Sequence, residues 1–200
     1  TPQLYRLIVD KGSDTTSVFT LEDNVGFNAE NTSYPQSIQL SSGKLIFNDP
    51  AINVQLADNS EFRIPLGAGL EVSQGTVSTA NDASINLDGL LRINGGTATL
   101  SSTDIIYSNT GEALIDISSG SLTVGNQIRR PLTTSSGILK YRQSGGTVLV
   151  GADGESENER AMFEVLNPGS EFTLSGGSFT IRRGVTGDDN PSLELDPDDF

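Results

Sequence analysis

The chain has 200 residues, of which 26 are acidic and 12 are basic, and its formal net charge is −14. A surface this acidic repels phosphate backbones and anionic lipid headgroups, so binding to nucleic acid and docking on a membrane are both disfavoured. The chain has no cysteine and no histidine, which excludes disulfide bonds, Cys/His zinc sites and catalytic pairs of the Ser–His or Cys–His kind.

Residues 1–36 contain two short apolar stretches, "LYRLIV" and "VFTL". Such short stretches are typical of half-buried strands, but neither belongs to the glycine-centred pattern that dominates the rest of the chain. We therefore expect residues 1–36 to form an irregular first rung or an N-terminal cap.

A repeating pattern occupies residues 37–184. Apolar residues lie five and three positions before a glycine, and two and four positions after it, as in "EFTLSGGSFTI" at Glu171–Ile181. Six copies occur at spacings of 21–32 residues, and one of them carries the polar Gln143 at an otherwise apolar position. The central glycines are Gly43, Gly75, Gly96, Gly120, Gly146 and Gly177.

A further short apolar segment lies between the copies at four places. These segments are Ile52–Leu56, Ser84–Leu87, Asp104–Tyr107 and Met162–Leu166. Helical periodicity is not sustained over three turns anywhere in the chain. Each repeat is therefore interpreted as two or three short strands.

A unit of this size cannot bury its own apolar face, so the units must stack. The pattern predicts an all-β fold, a right-handed single-stranded parallel β-helix (a solenoid), with about six or seven rungs of two or three short strands. The stacking should place Leu91 on Ile115 and Ala98 on Leu122. An antiparallel sandwich or a β-roll, built from hairpins, is the competing interpretation.

The glycine of each copy distinguishes these two folds. In a solenoid it is the corner between two sheet faces, so the strand before Gly177 pairs with a neighbouring rung; in a sandwich it is a hairpin turn. Residues 185–200 contain Leu193 and Leu195 in alternation and are expected to begin a further, truncated rung. We expect the chain to be a piece of a longer protein whose flanking repeats are its first partners.

The repeats resemble a known group of proteins. "GLLRINGGTATL", "SSGSLTVGNQIRR", "GILKYRQSGGTVLVG" and "FEVLNPGSEFTLSGGSFTIRRG" are similar to β-helical repeat regions of large secreted or cell-surface adhesin-like proteins of gliding and related Bacteroidetes. The resemblance covers roughly residues 38–184. It implies a bacterial, extracellular or cell-surface location, export by type IX secretion and a role connected with adhesion or gliding motility. It implies no catalytic residues.

One charged cluster is a candidate for chemistry. Arg92 and Asp116 occupy equivalent places on adjacent predicted rungs, with Glu112 near them. In β-helical polysaccharide lyases, acidic residues on one sheet bind calcium beside a basic residue. The alternative is a cross-rung ion pair on a solvated face, and this alternative is favoured.

Several weaker candidates lie in the predicted loops. Alternating acids at Asp153, Glu155, Glu157 and Glu159 suggest a calcium loop but lack the glycine that an EF-hand needs, so a solvated insertion is favoured. Acidic loops at 186–190 and 196–200 are interpreted in the same way. A basic cluster of Arg129, Arg130, Arg182 and Arg183 suits an acidic glycan or simple charge balance. Tyr107 and Tyr141 suit stacking on sugars if they face outward, although the template places Tyr141 inward. A glycosylation sequon at Asn31–Ser33 is expected to be irrelevant.

We assign no catalytic, cofactor-binding or metal-binding residue, and we expect no cofactor. The favoured hypothesis is a structural or adhesive stalk module, not an enzyme, with surface glycans or other cell-surface proteins as further partners and no insertion into a membrane. The alternative is a carbohydrate-active β-helix, a lyase or hydrolase of acidic polysaccharide. An enzyme should show a groove with converging charged groups, whereas a stalk should show flat faces rich in Ser, Thr and Asn.

Overall fold

A computed structural model describes residues 3–27, 37–153, 160–182 and 193–195. These residues form strands and connecting turns and contain no helix. The strands, in chain order, are β1 (Gln3–Leu4), β2 (Leu7–Asp10), β3 (Val18–Leu21), β4 (Gly26–Phe27), β5 (Ile38–Phe47), β6 (Asn53–Asp58), β7 (Glu61–Ile64), β8 (Ala68–Val72), β9 (Thr76–Ala80), β10 (Ser84–Leu87), β11 (Leu90–Leu100), β12 (Asp104–Tyr107), β13 (Glu112–Val124), β14 (Ile128–Arg129), β15 (Ile138–Gln143), β16 (Thr147–Val150), β17 (Phe163–Val165), β18 (Glu171–Leu174), β19 (Ser178–Ile181) and β20 (Leu193–Leu195).

The strands stack in parallel as a β-solenoid of about five turns. Each turn contributes one strand to each of three faces. The first face contains β8, the first half of β11, the first half of β13, β15 and β18. The second face contains β6, β9, the second halves of β11 and β13, β16 and β19. The third face contains β7, β10, β12, β14, β17 and β20. The predicted parallel stack is therefore confirmed.

The predicted register between turns is confirmed as well. Leu91 pairs with Ile115, and Ala98 pairs with Leu122. The side chains at these positions point inward and are almost fully buried. Removing one such aliphatic side chain from water contributes roughly 1.5–3 kcal/mol, so the inward columns are the main source of stability along the axis.

Gly177 is the corner of a coil and not the turn of a hairpin. β18 pairs with β15 and β19 pairs with β16, both in parallel. The φ angle of Gly177 is +83°, a left-handed conformation that glycine adopts without the steric penalty of a Cβ atom. The hairpin required by a sandwich is thus absent at this site.

The repeat around Gly43 does not align with the other five, and its predicted place in the series is wrong. Its second half, Lys44–Phe47, pairs with the first half of the next copy, with Leu45 beside Leu70. The second face of that turn is supplied by β6, which pairs with β9. The two halves of a copy have the same apolar alternation, so the pattern alone could not tell which half occupies the first face.

The two ends of the described chain also pair in parallel. Both β2 and β3 pair with β5. At the other end, Leu193–Leu195 pairs with β17 on the third face, so these residues stand as the third strand of the last described turn. The apolar alternation of Leu193 and Leu195 therefore belongs to a third-face strand of that turn, whereas the sequence led us to expect the start of a further rung.

An aromatic cluster fills the core of the last turns. Tyr141, Phe163, Phe172 and Phe179 lie with their ring centroids 5.1–5.7 Å apart. The Tyr141 hydroxyl donates to Gln143 Oε1 at 2.6 Å. Gln143, the polar residue in the apolar template, is buried and donates in turn to the carbonyl oxygens of the corner and of the next turn. A buried amide is tolerated here because its hydrogen bonds are satisfied.

Candidate functional site

The outward side chains of the first face form a ladder of ion pairs between turns. Lys44 Nζ lies 2.6 Å from Glu71 Oε2, and Arg92 reaches both Glu71, at 3.7 Å, and Asp116, at 2.8 Å. The guanidinium of Arg92 therefore lies between two carboxylates on successive turns. This ladder confirms the predicted cross-rung pair of Arg92 and Asp116 and extends it over two further strands, to Glu71 of β8 and Lys44 of β5.

The ladder continues on later turns with different partners. Lys140 pairs with Glu112 at 3.0 Å and with Glu171 at 3.7 Å, and Arg142 pairs with Glu171 at 3.1 Å. The hydrogen bond to Glu112 raises the pKa of Lys140, and the hydrogen bond from Arg142 lowers the pKa of Glu171. Every charge in this group is held by a neighbour on another turn.

The lyase-like arrangement does not form at the predicted residues. Glu112 pairs with Lys140 and not with Arg92 or Asp116. Across the described residues, no three acidic side chains come together as a metal site would require. The geometry of this cluster therefore fits a structural ladder.

Glu71 is the most buried member of the ladder. Burial raises its pKa, but hydrogen bonds from Lys44 and Ser73 and the charge of Arg92 outweigh burial, so the pKa lies below the ordinary value of 4.5. The folded state thus favours the ionised carboxylate.

Replacing Glu71 with glutamine should lower the free energy of unfolding at neutral pH by about 1.5–3 kcal/mol, the range for hydrogen bonds to charged groups. Because the folded-state pKa is lowered, this contribution is present above pH 4.5 and is lost as the pH falls through the folded-state pKa. Urea unfolding over a pH series should show that the difference in free energy of unfolding between wild type and E71Q becomes smaller only at acidic pH. A difference that is constant with pH would contradict this account.

On β6, the outward positions of the second face are Asn53 and Gln55. From β9 onward, the outward side chains of this face are almost all hydroxyls. They form two in-register columns across successive turns. The first column is Thr76, Thr97, Ser121, Thr147 and Ser178, and the second is Ser78, Thr99, Thr123, Leu149 and Thr180. We call these ten residues the hydroxyl face. It carries no charge, in contrast to the ladder on the first face.

Most hydroxyl groups of this face are not used within the protein. Ser121 donates to Thr97 at 3.3 Å. Within the described part of the chain, no other side-chain hydrogen bond involves the hydroxyls of the two columns. These groups are therefore available to water or to a ligand.

The third face carries a groove of about 290 Å³. Glu61 and Arg63 of β7 line it together with Asn86, Asp88 and Asn109. Arg63 and Asp88 make no ion pair within the described residues. The groove thus brings acidic, basic and amide groups to one surface, and the sequence analysis did not single out any of them.

A buried ion cluster lies further along the third face and was also missed. Glu164 is 1% exposed and accepts hydrogen bonds from Arg160 Nε at 2.7 Å and from the Arg130 backbone and side chain at 3.2 and 3.4 Å. Burial, together with the nearby charge of Glu164, raises the pKa of the Tyr107 hydroxyl. The only signal in the sequence was a single acid in an apolar strand, "MFEVL".

The other predicted basic and aromatic candidates have structural partners. Arg129 pairs with Asp104 at 2.7 Å, Arg130 pairs with Glu164, and Arg182 donates to the carbonyl of Ala152 at 3.1 Å. A basic cluster of Arg129, Arg130 and Arg182 is therefore not supported, because nearby groups engage each of these side chains separately.

Both candidate tyrosines are fully buried, as predicted for Tyr141, so the possibility that Tyr107 stacks on a sugar at the surface is wrong. Asp153 accepts a hydrogen bond from the Ser102 backbone at 2.7 Å. The other predicted loop residues, which are Glu155, Glu157, Glu159, Arg183, the sequon 31–33 and the acidic loops 186–190 and 196–200, lie outside the described residues.

Fold and surfaces together define the chain as a parallel β-solenoid with one ion-paired face, one hydroxyl face and one grooved face. No protein-family model, curated protein or solved structure matches it. A search of the described residues finds no helix that is long and apolar enough to cross a membrane. The function of the chain is therefore inferred from the surfaces of the solenoid.

Proposed function

We propose that the chain is a structural or adhesive segment of a long extracellular or cell-surface β-helical protein. Its role would be reach, stiffness and contact with surface glycans or other cell-surface proteins. The flanking repeats of the same long chain would be its immediate neighbours.

One observation carries this proposal. The outward charges of the first face are paired between turns, as in the Glu71–Arg92–Asp116 ladder, while the second face presents uncharged hydroxyls. Pairing between turns supports stacking, because each turn of a solenoid is stabilised by its neighbours. Among the described residues, neither of these two faces supplies the converging, unpaired charges that an enzyme would need.

The handedness, the number of rungs and the location of the protein belong to the same proposal. Right-handed coiling is proposed because parallel crossovers are overwhelmingly right-handed, and six or seven rungs are proposed for the repeat region. The resemblance to adhesin-like repeats of Bacteroidetes supports a bacterial surface location reached by type IX secretion. An acidic surface suits such a location, since like charge keeps long fibres from aggregating.

Surface labelling of intact source cells tests the proposal. Antibodies raised against the purified chain should label intact cells, and brief protease treatment of intact cells should remove the signal. An antibody against a cytosolic enzyme should label only lysed cells. Recovery of the chain only in the cytosolic fraction would overturn the proposal.

A carbohydrate-active enzyme is the second candidate, and the groove of the third face favours it. Glu61, Arg63 and Asp88 line this groove together. Incubation of the purified chain with uronate polymers and calcium, followed by measurement of new reducing ends and unsaturated products, tests this candidate. Turnover that disappears in D88N would establish it, and an absence of turnover by the wild type would exclude it for these substrates.

A further inference from the structure

The hydroxyl face is a regular two-dimensional array. Neighbouring strands of a parallel sheet lie ~4.8 Å apart, and alternate residues along a strand lie ~6.6 Å apart. The two columns therefore place Ser and Thr residues on a near-rectangular grid of backbone positions that continues over five successive strands. Nine of the ten positions are Ser or Thr, and Leu149 is the single exception.

We propose that the hydroxyl face binds ice. The ~4.8 Å repeat between strands is close to the oxygen spacing along one axis of a prism face of hexagonal ice, and the ~6.6 Å repeat along a strand is about a tenth shorter than the spacing along the other axis. Hydroxyls on such a grid hold a layer of water whose positions continue into the lattice, and the threonine methyl groups order the water between them. This inference goes beyond the proposed stalk function, and either can fail without the other.

Three properties of the face support a water lattice as the ligand. The pairing of Thr97–Leu100 with the second-face strands on either side has no register shift, whereas β11 has two shifts at its corner. Among the described residues, the Ser121–Thr97 bond is the one side-chain hydrogen bond made by these hydroxyls. The face is also uncharged in a chain with 38 charged residues (26 acidic and 12 basic), and a charged group would hold water in its own hydration geometry.

The core beneath the face keeps the grid in place. The inward neighbours of the hydroxyls include Val77, Ala98, Leu122 and Val148, which are at most 1% exposed. A core packed at this density holds side chains in fixed rotamers. The strands that carry the array are therefore held in place before it meets a ligand, which limits the ordering entropy lost on binding.

A polysaccharide surface fits the same face less well. Sugar sites combine aromatic or other apolar surface with a few placed polar groups. The ten residues of the hydroxyl face include no aromatic, amide or charged side chain. The free aromatic side chains that would stack on sugar rings are thus lacking on this surface.

Partition into growing ice tests the proposal. A dilute solution of the purified chain is frozen slowly onto a cold probe, and protein is measured in the ice and in the remaining liquid. Wild type should be enriched in the ice relative to a globular protein of similar charge that does not bind ice. Thr123→Lys, at the centre of the second column, should fall to the level of that reference protein, and Leu149→Thr, which completes the column, should increase the enrichment.

The matched control is Thr173→Lys, the same substitution at an exposed outward position of β18 on the first face. It should keep wild-type enrichment. Circular dichroism and thermal melting check that each variant is folded, and the gain expected from Leu149→Thr does not depend on a disruptive change. Exclusion of wild type from ice would overturn the proposal, as would equal enrichment of wild type and Thr123→Lys. Retention on crystalline cellulose or chitin without uptake into ice would assign the face to a polysaccharide instead.

Discussion

Replacing Gly120 with alanine is expected to lower the free energy of unfolding by about 3 kcal/mol or more. The φ angle of Gly120 is +79°, and an added Cβ would lie 2.2 Å from the carbonyl oxygen of Gly96 on the neighbouring turn. Both the left-handed backbone and the close approach are penalised by a side chain. The obstructing atom belongs to the backbone of a paired strand, so it cannot rotate away.

Gly169→Ala is the matched control, because it separates backbone strain from the steric clash. Its φ angle is +92°, yet the added Cβ would meet only Ile138 Cδ1, at 3.7 Å. We expect a loss of about 1–2 kcal/mol for this variant. Urea unfolding followed by circular dichroism measures the free energy of unfolding of both variants. Equal losses would show that the steric clash with the neighbouring turn adds nothing to the backbone strain.

Replacing Glu164 with glutamine is expected to lower the free energy of unfolding by about 3–5 kcal/mol, the range for removing one partner of a buried ion pair. The change is isosteric but leaves Arg130 and Arg160 without the carboxylate between them. Two guanidinium groups whose side chains are only 10–11% exposed would then repel each other with little screening by solvent. Burial also limits screening, so added salt should restore little of the loss.

Glu171→Gln provides the comparison in an exposed setting. Glu171 also lies between two cations, Lys140 and Arg142, but its side chain is 45% exposed. Exposed pairs contribute little and are screened by salt. Thermal and urea unfolding should therefore show a small loss in the free energy of unfolding for E171Q and a large loss for E164Q. Similar losses in both variants would contradict the role assigned to burial.

The sequence predicts the stacking of the central turns well. Inward positions recur with a period of two on both sides of a glycine corner, and this combination determines the pairing of Leu91 with Ile115. The same reasoning fails at Gly43, because the two halves of a copy are alike in apolar pattern. Only the pairing of Leu45 with Leu70 shows which half occupies the first face.

The candidate surfaces are less predictable, because they depend on residues far apart in the chain. Outward positions such as Thr99 and Thr123 follow from strand alternation, but the uncharged columns emerge only after every strand is placed in register. Glu164 lies in β17, whereas Arg130 directly follows β14, 34 residues earlier in the chain. No local pattern signals that contact, and the same is true of the groove at Glu61 and Asp88.

The alternating charges of the first face have a consequence for the loss or gain of whole turns. Along one column the residues are Glu71, Arg92, Asp116 and Arg142. Deleting the single turn that carries Arg92 would bring Glu71 beside Asp116, and like charges directly opposite each other on paired strands are destabilising. Deleting two turns would bring Glu71 beside Arg142 and restore the attraction. Because only pairs of turns keep opposite charges adjacent, this part of the solenoid loses less stability when it is lengthened or shortened by two turns than by one.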